Sequence, residues 1–162
     1  SDPQGRRTLA DYVADRPERL FHVGRLDTDT DGLLILTNDG EFAQRLAHPS
    51  YEVEKTYVAE VEGVVDRATM ALLRSPVLLD DGPVSVTRGR VISTSSQRSI
   101  VEITIHEGRN RIVRRLWAHL GHPVRRLPRT RIGPVKLARL TRGQLRELSA
   151  AELGELLDAA ER

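Results

Sequence analysis

Three aspartates, Asp27, Asp29 and Asp31, stand at every second position and are closed by Gly32 within GRLDTDTDGLLILTNDG, residues 24–40. Two kinds of chemistry use carboxylates placed in this way. The first is cation binding. An EF-hand loop takes oxygen ligands at its positions one, three and five, glycine at six and a bidentate glutamate at twelve. Counting from Asp27, the first four requirements are met, but position twelve is Asn38, which has no carboxylate to offer. The preceding FHVG also reads as strand, where an EF-hand has a helix. Clustered carboxylates that hold magnesium for phosphate chemistry are a related case, and they need further converging carboxylates that the sequence does not reveal. The second kind is covalent or acid–base work by one aspartate, kept ionised by a neighbouring cation. Arg25 and Arg109 are the available partners.

The charge distribution bears on this choice. From Arg109 to Arg146 there are eleven Arg and one Lys with no Asp or Glu, a local charge of +12; the remaining residues carry −10, and the net is +2. Arginines interleaved with apolar residues are the footprint expected for a phosphate backbone, the alternative being a solvated basic face. An enzyme acting on a base held in an RNA helix must extrude that base into a pocket with a stacking surface. Tyr57, in KTY, is the candidate for that surface, and its plainer reading is strand core. Lys55 reads as a solvated lysine or a phosphate contact, and Arg25 otherwise as a surface ion pair. Arg111, Arg114 and Arg115, all in the acid-free segment, are expected to contact phosphates. His119 and His122 lack a third metal ligand, and Trp117 reads as core.

These residues need elements to hold them. A short amphipathic helix is expected around Leu9, Tyr12 and Val13, and GLLILT reads as a buried strand. Asn38 and Glu41 resemble a capping box that opens the helix EFAQRLAH. EKTYVAEVEG is strand by its β-branched content, and Asp66 caps RATMALLR. VSVTRGRVIST and SIVEITIHEG read as antiparallel strands. Asn110 to Leu120 forms a helix with Ile112, Val113, Leu116 and Leu120 towards the core, ended by Gly121. Strand-like pieces follow at 124–127 and 134–140, and Ser149 with Glu152 makes a capping box for AAELGELLDAAE. Irregularly interspersed helices and strands predict an α+β fold with a mixed, mainly antiparallel central sheet flanked by helices, and a cleft between two halves.

Length and composition narrow the function classes. The 162 residues suit one domain, 1–162, and no apolar run approaches the ~20 residues of a membrane helix. With no cysteine, disulfides, thiolate nucleophiles and cysteine–zinc sites are excluded. The start lacks the basic-then-apolar pattern of a secretion signal, so a cytoplasmic location is expected. No phosphate loop or dinucleotide fingerprint is present.

Three blocks, GRLDTDTDGLLILTNDG, HPSYEVEKTYVAEVEG and EGRNRIVRRLWAHLGHPVRRLPRTRIGP, resemble in order and spacing the motifs of the ribosomal RNA pseudouridine synthases of the RsuA/RluB group. The resemblance covers almost the whole chain. It implies isomerisation of a specific uridine to pseudouridine in ribosomal RNA, the partner, without metal or organic cofactor; one domain of this kind has no evident need of a further partner, and a monomer is expected. The resemblance places the catalytic roles on Asp27, Tyr57 and Arg109, the last paired with the aspartate. With the basic segment read as an RNA face, RNA contacts are expected from Arg25, Lys55, Asn110 and Arg111, and further along from Arg114, Arg115, Arg129 and Arg131. Large-subunit (23S) rRNA is the expected substrate, with small-subunit (16S) rRNA as the alternative. A non-catalytic rRNA-binding module of ribosome assembly is the rival from another class. The group usually carries an S4-type N-terminal RNA-binding domain, so the chain is expected to be an N-terminally truncated catalytic domain. Ile112 stands where the group often has Gln.

Overall fold

Strand formation centres on KTYVAEVE. In β4 (Lys55–Glu62), Tyr57, Ala59 and Val61 alternate into the core, the period-2 signature of a half-buried strand. The computed structural model describes residues 20–23, 26, 30–47, 53–109, 111–138 and 140–160. Before β4 come β1 (Phe21–Val23), β2 (Asp31–Gly32), β3 (Ile35–Thr37) and helix α1 (Gly40–Ala47). After it come α2 (Arg67–Leu72), β5 (Val77–Leu79), β6 (Gly82–Val84), β7 (Val86–Thr94) and β8 (Arg98–Ile105). The chain continues through α3 (Ile112–His119), β9 (Val124–Arg126), β10 (Pro128–Ile132), β11 (Val135–Lys136) and α4 (Ala150–Ala160).

The fold is α+β. Its main sheet runs β11-β10-β4-β8-β7, with β9 paired along the second half of β4 and β2 laid on β10. Every pairing is antiparallel except β2 with β10, which is parallel. The sheet is therefore mixed and mainly antiparallel, as its strand grouping predicts. Two smaller pairs, β1 with β3 and β5 with β6, stand apart from it.

Two apolar cores result. Tyr57, Ala59, Val61, Val101, Ile103 and Ile105 from the sheet pack with Ile112, Val113, Leu116 and Trp117 of α3, and Trp117 is fully buried. The second core joins Leu33, Ile35, Ala43, Leu46, Val53, Ile132, Val135 and Leu156. β4 and β10 cross between them: Val53 just before β4 lies in one core and Tyr57 in the other, and Leu127 and Ile132 straddle β10 in the same way.

Several caps and ends match the expectation from sequence. Asp66 accepts from the Thr69 amide at 2.8 Å, and Ser149 and Glu152 form the reciprocal box, Glu152 N to Ser149 Oγ at 3.1 Å and Ser149 N to Glu152 Oε1 at 2.8 Å. The cap of α1 differs. Asp39, not Asn38, accepts from the Phe42 amide at 3.1 Å, because the helix begins one residue later than the Asn38–Glu41 spacing implies. The strand expected over GLLILT is also shorter, limited to Ile35–Thr37. The helix expected around Leu9 to Val13 lies outside the described residues.

Arg146 also grips Glu152 with both guanidinium nitrogens, at 2.8 and 2.7 Å. This fork, helped by the Ser149 amide, holds the Glu152 carboxyl down to about 2. A carboxyl whose folded pKa is depressed adds stability above its unfolded pKa and loses it as pH falls through the folded value. The docking of α4 should therefore loosen progressively between about pH 4.5 and 2, and Arg146→Ala should flatten that part of the curve. Thermal unfolding of both proteins across that range checks it.

Candidate active site

The last of the three aspartates and its glycine are fixed by β10. Asp31 pairs with Pro128 and Gly32 with Arg129 in the parallel register, and the Leu33 amide donates to the Arg129 carbonyl at 2.7 Å. The Arg129 side chain returns, its Nε donating to the Leu33 carbonyl at 3.0 Å. Gly32 has φ +109, and a Cβ there would lie 2.3 Å from the Arg129 carbonyl oxygen, so only glycine allows this approach. The Asp31 carboxylate receives Arg142 at 3.2 Å and Arg126 at 3.4 Å. Two guanidiniums on one carboxylate are a poor beginning for a calcium ligand. Asp27, Asp29 and Arg25 lie outside the described residues.

On its other edge β10 pairs with β4, with Arg129 opposite Tyr57. Tyr57 is buried at 8% exposure with its ring in the first core, so the plain reading of this residue as strand core holds for most of the ring. Lys55 projects from the same face of β4, two residues earlier, and is half-buried. Burial first, and the Arg129 guanidinium second, lower the Lys55 ammonium below the usual lysine range. Arg129 itself is 2% exposed, a buried cation at the boundary of the two cores.

The arginine-rich segment is partly paired. Arg109 donates through Nε to Glu107, through NH1 to the Asp81 carbonyl and carboxylate at 3.1 and 3.0 Å, and through NH2 to the Pro83 carbonyl at 2.7 Å. Arg115 forks onto the same Asp81 carboxylate at 2.9 and 3.0 Å. The hydrogen bond from Arg115, with the charges of Arg109 and Arg115, holds the Asp81 carboxyl below the usual carboxylate range. The two arginines thus tie the β5–β6 hairpin to the start of α3. Arg111 caps α3 in the left-handed region at φ 53 and is exposed, and Arg114 is half-buried one turn on. Arg131 Nε donates to the Gly133 carbonyl at 2.7 Å, and Asn110 lies outside the described residues. Elsewhere the sheet arginines Arg88, Arg90 and Arg98 pair with Glu54, Glu102 and Glu60.

The structure therefore gathers Tyr57, Lys55 and Arg129 beside Gly32 and Leu33, and sends Arg109 and Arg115 to a hairpin 26 to 34 residues away in sequence. Asp81, Arg126 and Arg142 take part in these contacts without having been expected to. Asp81 in LLDDGP announces only a turn, and nothing local links it to an arginine so distant in sequence. His122 donates through Nδ1 to the Glu62 carbonyl, 2.7 Å away, and meets Trp117 edge-on at 6.3 Å. Among the described residues no three His, Asp or Glu side chains converge as metal ligands. Two cations beside a buried aromatic ring suit an anionic or polar planar substrate group.

Residues 1–119 match the family described as RNA pseudouridylate synthase. The chain is 46% identical over 157 residues to an "Uncharacterized RNA pseudouridine synthase" of Aquifex aeolicus (strain VF5), covering 97% of this chain and 63% of that protein. It is 42% identical over 157 residues to the "Ribosomal large subunit pseudouridine synthase B" of Bacillus subtilis (strain 168), covering 96% and 64%. A solved structure described as "Crystal structure of pseudouridylate synthase" superposes with a TM-score of 0.70 at 34% identity, over 85% of this chain and 59% of that one. The chain spans less than two thirds of the length of these relatives.

Proposed function

We infer, from a chain that belongs to the RNA pseudouridylate synthase family, that the protein isomerises uridine to pseudouridine in ribosomal RNA, with Asp27 as its catalytic carboxylate. The observation that supports this reading is the position of Arg129, paired on one edge with Gly32 of the aspartate loop and on the other with Tyr57. A single residue thereby joins the segment that carries Asp27 to the aromatic surface. The isomerisation consumes nothing, so no redox or leaving-group machinery is required.

In this reading the target uridine leaves its helix and stacks on Tyr57. Asp27, kept ionised by the basic segment, attacks the sugar, attacks the base or removes the 2′ proton. The bond from ribose C1′ to N1 breaks, the base turns, and C5 bonds to C1′; C5 loses a proton and N1 gains one. Arg25, Asn110, Arg111, Arg114 and Arg131 hold the RNA backbone, while Arg115, forked onto Asp81, fixes the hairpin beside them. Arg109 works as a positioning residue, since its donors anchor the β5–β6 hairpin, and its charge adds to the field that keeps Asp27 ionised.

Large-subunit rRNA is the proposed substrate, supported by the likeness to the Bacillus subtilis protein. Incubation with 23S or 16S rRNA tritiated at uridine C5 tests it. Tritium release at one site of 23S rRNA alone is the expected result. Release from 16S alone would transfer the substrate to the small subunit, and RNA binding without release would favour the assembly-module reading.

A further inference from the structure

We propose that Lys55 and Arg129 form a two-cation site for the negative charge that develops on the pyrimidine during the isomerisation; this rests on the function inferred above. Arg129 is 2% exposed, and its NH2 nitrogen is buried with no hydrogen-bond partner among the described residues. A buried guanidinium with an unmet donor is costly unless some ligand meets it. The Lys55 ammonium has no hydrogen bond or ion pair to a described residue either, and Lys55 shares a face with Tyr57, the residue that stands opposite Arg129 where β4 pairs with β10. A Cβ on Gly108 would lie 3.1 Å from Lys55 Nζ, so the ammonium sits directly against the backbone that leads into the arginine-rich helix. The two cations stand where β4 and β10 cross between the cores. They are flanked by Leu33, whose carbonyl accepts from Arg129 Nε, by the Tyr57 position opposite Arg129 and by the backbone at Gly108.

Two like charges brought together out of water repel, and the depressed Lys55 ammonium reports that cost. A fold carries such a pair at no benefit unless an anion arrives between them. Each route open to the aspartate supplies one, because each moves an electron pair onto the pyrimidine. When the C1′–N1 bond breaks, that pair leaves with the base, and its charge spreads over N1, O2 and O4. When the carboxylate adds to C6, the charge passes to O4 through C5. Fixed donors aimed at charge that exists only in the transition state or intermediate are worth far more there than in the ground state. A backbone phosphate of the flipped nucleotide is the other anion of suitable chemistry, and it would be bound equally in both states.

The full-length protein separates the two. Lys55→Met is expected to slow the single-turnover rate of tritium release by about 100-fold, while RNA affinity and its salt dependence stay as in the parent. Lys55→Arg should retain part of the rate. The parent's rate should fall as the depressed ammonium loses its proton at alkaline pH, and Lys55→Arg should carry that limb to higher pH. Unchanged thermal melting of Lys55→Met keeps a folding defect out of the reading. A normal rate with RNA affinity weakened, and a salt slope reduced by about 1, would mean a phosphate site and overturn the proposal. So would a variant indistinguishable from the parent. A parent that binds rRNA yet releases no tritium overturns the inferred function itself, and this inference with it.

Discussion

Asp27→Asn should lower pseudouridine formation by about 10⁴-fold or more, while ribosomal RNA still binds. The amide keeps the shape of the carboxylate but neither its charge nor its basicity, so it serves neither as nucleophile nor as proton acceptor. Binding rests on the arginine-rich segment and is spared, and the loss of one negative charge near phosphates should if anything tighten it. Tritium release and filter binding on the same preparations measure both quantities. Turnover within tenfold of the parent would move the chemistry to another carboxylate. Asp31 is a weak candidate for that, since Arg126 and Arg142 already occupy its oxygen and fix it to the surface of the basic segment. Asp29→Asn makes the natural companion, and it should retain most of the rate.

Asp27 is singled out by sequence context alone; what the structure adds is the strand that holds Asp31 and Gly32 at the end of the aspartate stretch. β4 and β8 were readable because β-branched residues alternate or run together in them, and α3 because Ile112, Val113 and Leu116 recur at helical spacing. Local hydrogen-bond chemistry carried Asp66 and the Ser149–Glu152 box. β10 was not readable. Its sequence PRTRI places charge or proline at three of five positions, and strand pieces were expected on either side of it instead. It forms because β4 and β2 supply partners on both edges, and because Arg129 can bury its guanidinium against the Leu33 carbonyl. Tertiary pairing overrode a weak local preference. The destination of Arg109 was hidden for the same reason, since the carbonyl of Pro83 and the carboxylate of Asp81 become its neighbours only after the β5–β6 hairpin has folded back. The arginine count predicts a basic face. Which arginines would be spent on the protein's own acids depended on contacts that no spacing encodes.

The close approach of β2 to β10 gives the second large effect, on stability and activity together. Gly32→Ala adds a Cβ that would stand 2.3 Å from the Arg129 oxygen, 2.4 Å from its nitrogen and 2.9 Å from its carbonyl carbon, at a backbone angle of φ +109 that side chains rarely adopt. Left-handed strain alone costs about 1–2 kcal/mol. The overlap is with backbone rather than with the end of a flexible side chain, so relief requires β2 to leave β10 and the Leu33–Arg129 bonds to break. A total of about 3 kcal/mol follows, or a melting temperature lower by about 6–12 °C for a domain of this size. Gly121→Ala is the matched control: φ there is +87 but nothing lies within 4 Å of the added carbon, so it should lose only the conformational part. The difference between the two variants isolates the packing of the loop exit against β10. Because Leu33 follows directly on the aspartate stretch, the same displacement should cost about 100-fold in turnover, in line with the price of misplacing a reacting group by an ångström. Equal melting of the two variants would mean that β2 does not lie on β10 in solution, and the route from Gly32 through Arg129 to Tyr57 would lose its basis.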